Sequence, residues 1–329
     1  MRTLLINDTS RINHHGCKIL NRNLNKIFKI KKIRVIKRCF NGENHLLSFR
    51  KIKNIDFDVI LVNGEGTMHH DQKQFLNIIK LCNYFFNKQI PVYLINSTIE
   101  GISKKYISTF KKFRKIYVRE NFSKNFLSQN GIKSKTVSDL IFYDAPNISH
   151  KKKIHDLMIT DSTIKAHTRK LFLLFNMLKT NSIFIPCFYL SKKQRSSITF
   201  KFKILIYRLI YLFFQNKLNV FSIFTLDNYK ELIKKLKISH YLISGRFHII
   251  ALAILYQIPF YYISSNTYKI DGLMNDIKIK DRKVNLKTFI NFKKKKFSNK
   301  EINLIQKYVN GSKIKIDKMF NQIINDKRL

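Results

Sequence analysis

Short apolar runs alternate with longer amphipathic segments along nearly the whole chain. In the first half, runs of strand length occur at Thr3–Asn7, Ile33–Lys37, Asp58–Val62, Val92–Ile95, Lys115–Val118 and Thr136–Asp139. Segments with a helical pattern separate them at His15–Phe28, Asp71–Phe86, Ser103–Phe113 and Asn121–Asn130. Strands that alternate with helices predict a parallel sheet covered by helices.

The second half repeats this pattern. Its strand-like runs are Leu157–Thr160, Ile183–Phe188, Val220–Phe224, Tyr241–Ile243 and Phe260–Ile263. Its helical segments are Ser162–Leu178, Lys192–Phe214, Asp227–Lys237 and Phe247–Tyr256, and an amphipathic segment at Asn299–Ile323 predicts a C-terminal helix. We therefore predict an α/β fold with two Rossmann-like domains whose parallel sheets face a cleft, and ligands at the carboxyl ends of the strands.

A polar, basic stretch at Ser149–Lys153 predicts the linker between the two domains. The N-terminal domain is then residues 1–148 and the C-terminal domain residues 149–329. The length of 329 residues suits two domains, and the hydrophobic content of 45% is enough for two cores. Only 9 Gly and 4 Pro exclude a collagen-like or low-complexity chain.

The chain is strongly basic, with 63 Lys and Arg against 20 Asp and Glu and a net charge of +43. A nucleic-acid partner would reward such a surface through counterion release. The basic residues are mostly Lys scattered among Ile, Asn and Phe, which an AT-rich coding bias also produces. An anionic membrane surface is a third explanation, with Lys201–Phe214 as a basic and aromatic segment that could also be a buried helix.

The cysteines are far apart in sequence and form no CxxC pair, which is typical of a reduced, cytoplasmic protein. The start of the chain has too short an apolar run for a signal peptide. The most apolar stretch, Ile204–Phe214, is far short of a membrane span. We expect a cytoplasmic protein that is peripheral at most, on the inner face of the cytoplasmic membrane.

The third strand leads into a turn with several reactive side chains. Gly64 and Gly66 flank Glu65, and glycines there allow a sharp turn that projects the carboxylate into the cleft. A carboxylate in that position can act as a general base toward a sugar hydroxyl. Further polar residues of this turn are Thr67, His69 and His70. The alternative is an ordinary glycine-rich turn with a solvated Glu65.

The first strand also ends in a polar loop, which is predicted to lie on the same rim. Its candidate cleft contacts are Asp8, Thr9, His14 and His15, although an N-cap and helix start would give the same pattern. The two His-His pairs of the chain could suggest a metal site. Adjacent side chains diverge, however, and no third ligand has a suitable spacing, so we expect no metal.

The strongest local signal is Ser244-Gly245-Arg246-Phe247-His248. A strand ends at Gly245, and the following helix offers free amides at its positive end. Arg246 adds a planar fork for a carboxylate or phosphate, with His248 as a proton donor beside it. The next strand is followed by further candidate anion contacts at Ser264, Ser265, Asn266 and Lys269. Alternatively Arg246 forms a structural ion pair, His248 caps a helix and Lys269 is solvated.

The stretch from Ile243 to His248, with Ala251, Ala253, Pro259, Ile263, Lys269 and Gly272-Leu273, resembles the C-terminal signature of the polysaccharide pyruvyl transferases. In that family Gly-Arg-Leu-His opens a helix, a Pro begins the next strand and a Lys follows that strand. The segment Tyr117-Val118-Arg119-Glu120 is similar to the family's Val-Arg-Asp segment, which makes Arg119 a further candidate cleft residue, and Val137-Ser138-Asp139 closes the first domain.

The resemblance implies a glycosyltransferase-B fold and transfer of a pyruvyl ketal from phosphoenolpyruvate to a sugar of a bacterial surface polysaccharide, such as a capsule or lipopolysaccharide. The acceptor would be a glycan or lipid-linked saccharide, the first domain its binding side and the second the donor side, with no cofactor beyond the donor. Arg246 and His248 would contact the donor. His248 would act as the acid and Glu65 as the base.

One feature differs from the family. Where the family commonly has three glycines after the third strand, this chain has Asn63-Gly64-Glu65-Gly66-Thr67. An acid in that loop repels an anionic donor unless it faces the acceptor. A glycosyltransferase that uses a nucleotide-activated sugar, with Glu65 as its base, is therefore the close alternative. A nucleic-acid-binding protein is a distant one, because no nucleic-acid-binding motif accompanies the charge.

Overall fold

The computed structural model of the protein describes residues 1–146, 148, 152–178, 180–187, 228–279, 281–285 and 294–326. The predicted helix Lys192–Phe214 and strand Val220–Phe224, and with them the basic and aromatic segment Lys201–Phe214, lie outside these residues. Within them, two parallel sheets are covered by helices, as the alternating pattern predicts.

The first sheet is entirely parallel and has the strand order β2-β1-β3-β4-β5-β6. Its strands are β1 (Arg2–Asp8), β2 (Arg34–Phe40), β3 (Val59–Glu65), β4 (Val92–Ser97), β5 (Lys115–Val118) and β6 (Lys135–Thr136). Its helices are α1 (His15–Ile30), α2 (His45–Ile52), α3 (Lys73–Asn87), α4 (Lys104–Phe110) and α5 (Asn121–Gln129), followed by a 3-10 helix at Leu140–Tyr143.

The second sheet is also parallel, and its described strands have the order β10-β9-β7-β8. These strands are β7 (His155–Ser162), β8 (Ser182–Ile185), β9 (Ser239–Gly245) and β10 (Phe260–Tyr262). The helices around them are α6 (Lys165–Met177), α7 (Tyr229–Lys237), α8 (Phe247–Leu255), α9 (Lys269–Ile277) and α10 (Asn299–Asp326).

The central strands are buried throughout because helices cover both of their faces, and their first residues are largely apolar. Every residue of β3 and β4 is buried, which is the pattern of a parallel sheet rather than of a half-exposed one. The α1 helix is amphipathic and packs Leu20, Leu24 and Ile27 onto the sheet. The apolar positions of the sequence therefore determine which side of each element faces the sheet.

Each sheet has one topological switch point, where the connections leave in opposite directions. In the first sheet the switch lies between β1 and β3, and in the second between β7 and β9. Ligands of open parallel sheets bind at such points, beyond the carboxyl ends of the strands. Asp8 and Glu65 end the first pair of strands, and Ser162 and Gly245 end the second. The polar segments predicted from the sequence thus lie at both switch points.

Two helices connect the halves of the molecule. All nine residues of α8 are buried, and they pack in one cluster with Ile19 of α1 and with Phe142. In α10, Ile305 packs with that cluster, whereas Phe320 packs in the core of the first sheet. The predicted C-terminal helix therefore contacts both sheets, and the domain boundary at residue 148 stays a prediction.

Several elements differ from their prediction. The strand predicted at Thr136–Asp139 is the short β6, because Asp139 instead caps the 3-10 helix by accepting a hydrogen bond from Ile141 N at 2.9 Å. The helices α2 and α9 were not predicted, since both are short and lie in polar stretches. In the part of the chain that the structure describes, no helix is both long and apolar enough to cross a membrane.

Candidate functional site

A cavity of about 260 Å³ lies between the carboxyl ends of the two sheets. Side chains from both halves of the chain line it, which agrees with the position of the two switch points. From the first half these are Thr9, Ile12, His14, Cys17, Asn41, Glu65, Gly66, Thr67 and Arg119. From the second half they are Thr163, Arg246, Phe247, His248 and Lys269.

Glu65 is the last residue of β3, not part of a following turn. Its own φ is +34°, so the left-handed backbone falls on the acid itself and not on either neighbouring glycine. Gly64 is needed for packing, since a Cβ there would lie 2.4 Å from Ser97 Oγ. At Gly66 a Cβ would meet no described atom within 4 Å. Non-glycine residues in this backbone region are uncommon and cluster at functional sites.

The Glu65 carboxyl group is buried, with only 5% of the residue exposed. Cys17 Sγ donates a hydrogen bond to Oε1 at 3.0 Å, and Asn63 Nδ2 donates one to Oε2 at 3.3 Å. Burial raises the pKa of Glu65, and the nearby Asp139 carboxylate acts in the same direction. The solvated Glu65 of the alternative interpretation is therefore wrong.

His248 lies in the first turn of α8 and faces two carboxyl groups of the other domain. Its Nε2 atom is 3.9 Å from Glu65 Oε1 and 3.9 Å from Asp139 Oδ2. Among the described residues no atom forms a hydrogen bond with this buried nitrogen. Burial lowers the pKa of His248 well below its usual value, and the positive charges of Arg119 and Lys269 lower it further. Burial therefore favours the neutral imidazole.

The N-terminus of α1 packs directly against the His248 ring. A Cβ on Gly16 would lie 2.3 Å from His248 Nδ1, so this contact requires glycine. His14 caps the helix, with its Nδ1 accepting from Gly16 N at 3.2 Å and from Cys17 N at 3.4 Å. Its ring lies 5.9 Å from that of His248. Burial lowers the pKa of His14, and the neighbouring His248 and Arg246 add to the effect.

Arg246 precedes α8 and is paired with a carboxylate that the sequence pattern did not single out. Its guanidinium donates to Asp161 Oδ2 at the end of β7. The other carboxylate oxygen, Asp161 Oδ1, accepts from Cys187 N at 3.0 Å. Asp161 therefore fixes the direction of Arg246, which still lines the cavity. The structural ion pair considered from the sequence exists, and it lies within the cavity wall.

Arg119 is the second buried cation. It is only 3% exposed, and it donates from Nη1 to Asp139 Oδ2 at 2.8 Å and from Nε to Thr98 Oγ1 at 2.7 Å. Its guanidinium lies 4.4 Å from the centre of the Phe247 ring. Since Asp139 also faces His248, these contacts join the acid of one domain to the histidine of the other.

Lys269 is the third cation, and it begins α9 instead of lying in a loop. It is 8% exposed, and its Nζ donates to Asn266 Oδ1 at 3.0 Å. Burial lowers the pKa of Lys269 to about 7, and the charges of Arg119 and Arg246 act in the same direction. A buried amine with this pKa is typical of a functional site, and Lys269 is not the solvated lysine of the alternative interpretation.

The remaining donor-side candidates support the cavity wall from outside it. Ser265 Oγ lies 2.9 Å from Thr163 Oγ1, and Asn266 N donates to the same hydroxyl at 3.1 Å. Ser264 Oγ donates to Asp271 at 3.3 Å, away from the cavity. A Cβ on Gly245 would lie 2.5 Å from Ser162 Oγ, so this glycine allows β9 to approach β7 closely.

Thr9 and Thr67 line the first-domain side of the cavity, but Asp8 does not. Asp8 is buried behind it, where Oδ2 binds Arg38 Nη1 at 2.6 Å and Oδ1 accepts from Ser10 N at 2.7 Å. Asp8 is therefore a structural anchor of the β1–α1 loop, and the expectation of a cleft contact is not met. Thr67 Oγ1 donates to Gly64 O at 2.7 Å.

The other histidines lie outside the cavity. Burial lowers the pKa of His15 and of His69 to about 4 in each case. His69 Nε2 lies 3.0 Å from Gly66 O, and His70 Nε2 is 3.9 Å from Glu100 Oε1. Among the described residues, no three His, Cys, Asp or Glu side chains are placed to hold a metal ion together.

Sequence reasoning missed several cavity residues. Asp161 and Asp139 both lie at or just after the end of a predicted strand. A polar residue at a strand end is the signal that identified Glu65, so the same signal could have identified these two. The residues without such a signal are Ile12, Cys17, Asn41 and Thr163. Their sequence pattern does not distinguish them from ordinary loop and helix residues.

The cavity therefore has two chemically different sides. Arg246 and Lys269 form a cationic side with the start of α8, which is a site for an anion. Glu65 forms a carboxyl side with the threonine hydroxyls of the first domain. His248 lies where the two sides meet, so a molecule bound on the cationic side would have its reacting atoms next to both His248 and Glu65.

Solved structures of low sequence identity have the same fold. The UDP-GlcNAc 2-epimerase of Methanocaldococcus jannaschii, in complex with UDP-GlcNAc and UDP, is 13% identical, and the match covers 94% of this chain and 100% of that chain with a TM-score of 0.53. A putative UDP-N-acetylglucosamine 2-epimerase of Listeria monocytogenes is 11% identical, and the match covers 97% of this chain and 90% of that chain with a TM-score of 0.51. No curated protein matches the sequence.

These similarities show the glycosyltransferase-B fold, as two parallel-sheet domains around a cleft predict. The family is shown by the sequence itself. The sequence profile of the polysaccharide pyruvyl transferases matches residues 7–267, which include Glu65, Arg119, Arg246 and His248. The chain is therefore a transferase of the glycosyltransferase-B fold and belongs to the polysaccharide pyruvyl transferase family.

Proposed function

We propose that the protein transfers a pyruvyl group from phosphoenolpyruvate to two hydroxyls of one sugar in a bacterial surface polysaccharide. The observation that carries this proposal is the meeting of three cations, the buried Arg119 and Lys269 and the partly buried Arg246, with the Glu65 and His248 pair in one small cavity. The cations suit a small donor with several negative charges. The Glu65 and His248 pair suits a reaction in which the enzyme must both donate and accept a proton.

The donor binds on the cationic side. Phosphoenolpyruvate carries a carboxylate and a phosphate, and Arg246 can bind either group through two parallel hydrogen bonds. The free amides at the start of α8 and the Lys269 ammonium complete an anion site. The volume of about 260 Å³ also supports a small donor, since pockets for drug-sized ligands span roughly 300–1,000 Å³.

The reaction needs no further reagent. Two sugar hydroxyls add their oxygens to the central carbon of the donor, the bond from this carbon to the phosphate oxygen breaks, and inorganic phosphate leaves. One hydroxyl proton ends on the former methylene carbon, which becomes a methyl group, and the other ends on the phosphate. Protons must therefore pass from the hydroxyls to the donor, and the enzyme requires an acid and a base near the same carbon.

His248 and Glu65 act as these groups, and the donor sets their charges. Before the donor binds, burial favours the protonated carboxyl of Glu65 and the neutral imidazole of His248. This is the reverse of the roles expected from the sequence. An anionic donor beside His248 stabilises its imidazolium, so the proton moves to His248 as the donor binds. His248 then protonates the methylene carbon, and the Glu65 carboxylate accepts the hydroxyl proton.

The acceptor sugar binds on the first-domain side, against Thr9, Asn41 and Thr67. Hydroxyl and amide groups there can exchange hydrogen bonds with sugar hydroxyls. The acceptor is a glycan or lipid-linked saccharide of a surface polymer such as a capsule or lipopolysaccharide. Because phosphoenolpyruvate is a cytoplasmic metabolite, the enzyme works in the cytoplasm and uses no cofactor besides its donor.

A panel of donors in one thermal-unfolding experiment tests the proposal. Phosphoenolpyruvate should raise the melting temperature of the wild-type protein, because a ligand of the folded state stabilises it. Arg246→Ala should lose the increase, and Arg114→Ala, whose side chain is 55% exposed at the far end of β5, should keep it. A shift with a nucleotide such as UDP or CMP, and none with phosphoenolpyruvate, would instead support the glycosyltransferase alternative.

A further inference from the structure

The exposed face of α2 carries two adjacent leucines. Leu46 is 57% exposed and Leu47 is 53% exposed. The remaining large hydrophobic residues that are exposed among the described ones are isolated in sequence or, like Leu173 and Met177, one helical turn apart. The two exposed leucines are not needed to pack this helix in the domain, because Ile52 and the half-buried Phe49 already pack it against its neighbours.

The exposed charges on the helix that carries these leucines are positive. Arg50, Lys51 and Lys53 are exposed in the following turn of the same helix and its cap. No Asp or Glu occurs in residues 44–55 or 72–99, a range that includes all of α2 and α3. The nearest acid, Glu43, pairs with Lys51 at 2.9 Å. The face therefore joins apolar groups with an excess of cations, and the acids Glu43, Asp56 and Asp71 lie just outside the two helices in the chain.

The α2 and α3 helices form one rigid surface. The Phe49 and Tyr84 rings pack edge to face at 4.8 Å, and Tyr84 Oη donates to Lys53 O at 3.2 Å. Exposed Lys73 and Lys80 of α3 extend the cationic area. A basic surface with apolar side chains in its centre is typical of proteins that lie on an anionic bilayer.

The position of this surface relates it to the cavity. Leu46 and Leu47 lie in the first turn of α2, just beyond the carboxyl end of β2, and Asn41 of the same connection lines the cavity. Leu173 and Met177 lie late in α6, about 12 Å or more along the helix from its start at the carboxyl end of β7. Of these two exposed pairs, the leucine pair of α2 is therefore the one at the edge where the acceptor would enter.

We propose that the α2–α3 surface, with Leu46 and Leu47 at its centre, docks the enzyme on an anionic lipid bilayer. The leucines insert between the headgroups, and the surrounding cations bind lipid phosphates. The first-domain side of the cavity then faces the membrane that carries a lipid-linked acceptor. The choice of acceptor rests on the proposed function, but the docking itself does not.

Co-sedimentation with vesicles tests the docking without donor or acceptor. The wild-type protein should sediment with vesicles of phosphatidylglycerol and phosphatidylcholine and not with phosphatidylcholine alone. The double variant Leu46→Ser/Leu47→Ser should bind about tenfold more weakly, because it loses the partial burial of two leucine side chains in the bilayer. The matched control Leu173→Ser/Met177→Ser replaces two side chains of similar exposure, 59% and 64%, and should bind like the wild type.

The contrary results are distinct. Equal binding of both double variants, or no binding of the wild type at low salt, would overturn the proposal. If the wild-type protein were retained on duplex DNA and the leucine variant were not, the partner would be a nucleic acid, and this result would also overturn the proposal. Circular dichroism should give the same spectrum for every variant. The charge-reversal variant Arg50→Glu/Lys53→Glu provides a second test, because it leaves the apolar residues intact. Transfer to a soluble acceptor should be normal in all of them, which separates this proposal from the proposed function.

Discussion

His248 Nε2 lies 3.9 Å from Glu65 Oε1, and the two side chains come from different domains. Glu65 ends the third strand of the first sheet, whereas His248 lies in the first turn of the helix that follows β9. Neither domain taken alone contains both members of the pair. The pair therefore forms only when the two halves of the chain come together, and the proposed chemistry depends on their contact.

Because the two groups handle the same proton, their losses should not add. Glu65→Gln and His248→Asn should each lower kcat by about 10²–10⁴-fold, the usual contribution of acid–base catalysis. The double variant should lose little more than either single one, as is found for residues that act as a unit. Steady-state kinetics of phosphate release measure this, with Glu231→Gln on α7 as the control. Fully multiplicative losses would contradict a shared role.

Lys269 makes donor binding sensitive to pH. Its pKa is lowered to about 7, so the amine is charged below this pH and loses its charge above it. KM for phosphoenolpyruvate should therefore rise as the pH increases through about 7 to 9, a range in which the donor phosphate, with a pKa near 6, has already ionised. Lys269→Arg, which stays charged, should flatten the rise. An identical pH profile for this variant would exclude Lys269 as a donor contact.

Asp161 should act as a positioning residue for Arg246. Asp161→Asn keeps an acceptor for Cys187 N but removes the charge that fixes the guanidinium. KM for the donor should rise about tenfold, a loss of roughly 1.4 kcal/mol, while kcat changes little. Asp161→Glu should restore part of the affinity. Asp144→Asn, which removes a surface partner of Arg22 and Lys26, is the control. Unchanged KM in Asp161→Asn would show that Arg246 needs no such support.

Two helical glycines should respond in opposite directions to alanine. A Cβ on Gly272 of α9 would lie 2.6 Å from Glu120 Cγ across the domain contact, so Gly272→Ala should lower the free energy of unfolding by about 1–3 kcal/mol. At Gly311 of α10 a Cβ would meet no described atom within 4 Å, and Gly311→Ala should raise it by about 0.5–1 kcal/mol. Urea denaturation measures both. A stabilised Gly272→Ala would mean that α9 and α5 do not pack closely.

The repeating pattern of strands and helices was sufficient to predict the fold and the place of the cavity. Glu65, Arg246 and His248 each follow an apolar run, and parallel strands bring their carboxyl ends to one edge. Lys269 also comes after such a run, at the start of the helix that follows β10. These residues do line one cavity, a position that follows from local pattern and from a general rule for parallel sheets.

What the sequence could not predict depends on contacts between distant segments. Asp161 is 85 residues from its partner Arg246, and Cys17 is 48 residues from Glu65. No local pattern indicates which carboxylate pairs with which cation. The pKa shifts of Glu65 and His248 likewise depend on burial in the assembled cavity, which raises the pKa of the carboxyl group and lowers that of the imidazole.

The most direct test of the central claim is to identify the product made from phosphoenolpyruvate. The purified enzyme should be given donor with an isotope label at its central carbon and a lipid-linked or synthetic surface glycan, and the product analysed by NMR. We predict that the label appears in a ketal carbon attached to two sugar oxygens, with one phosphate released for each ketal, and that Arg246→Ala forms none. Transfer of a sugar from a nucleotide donor, with no label in the glycan, would contradict the account.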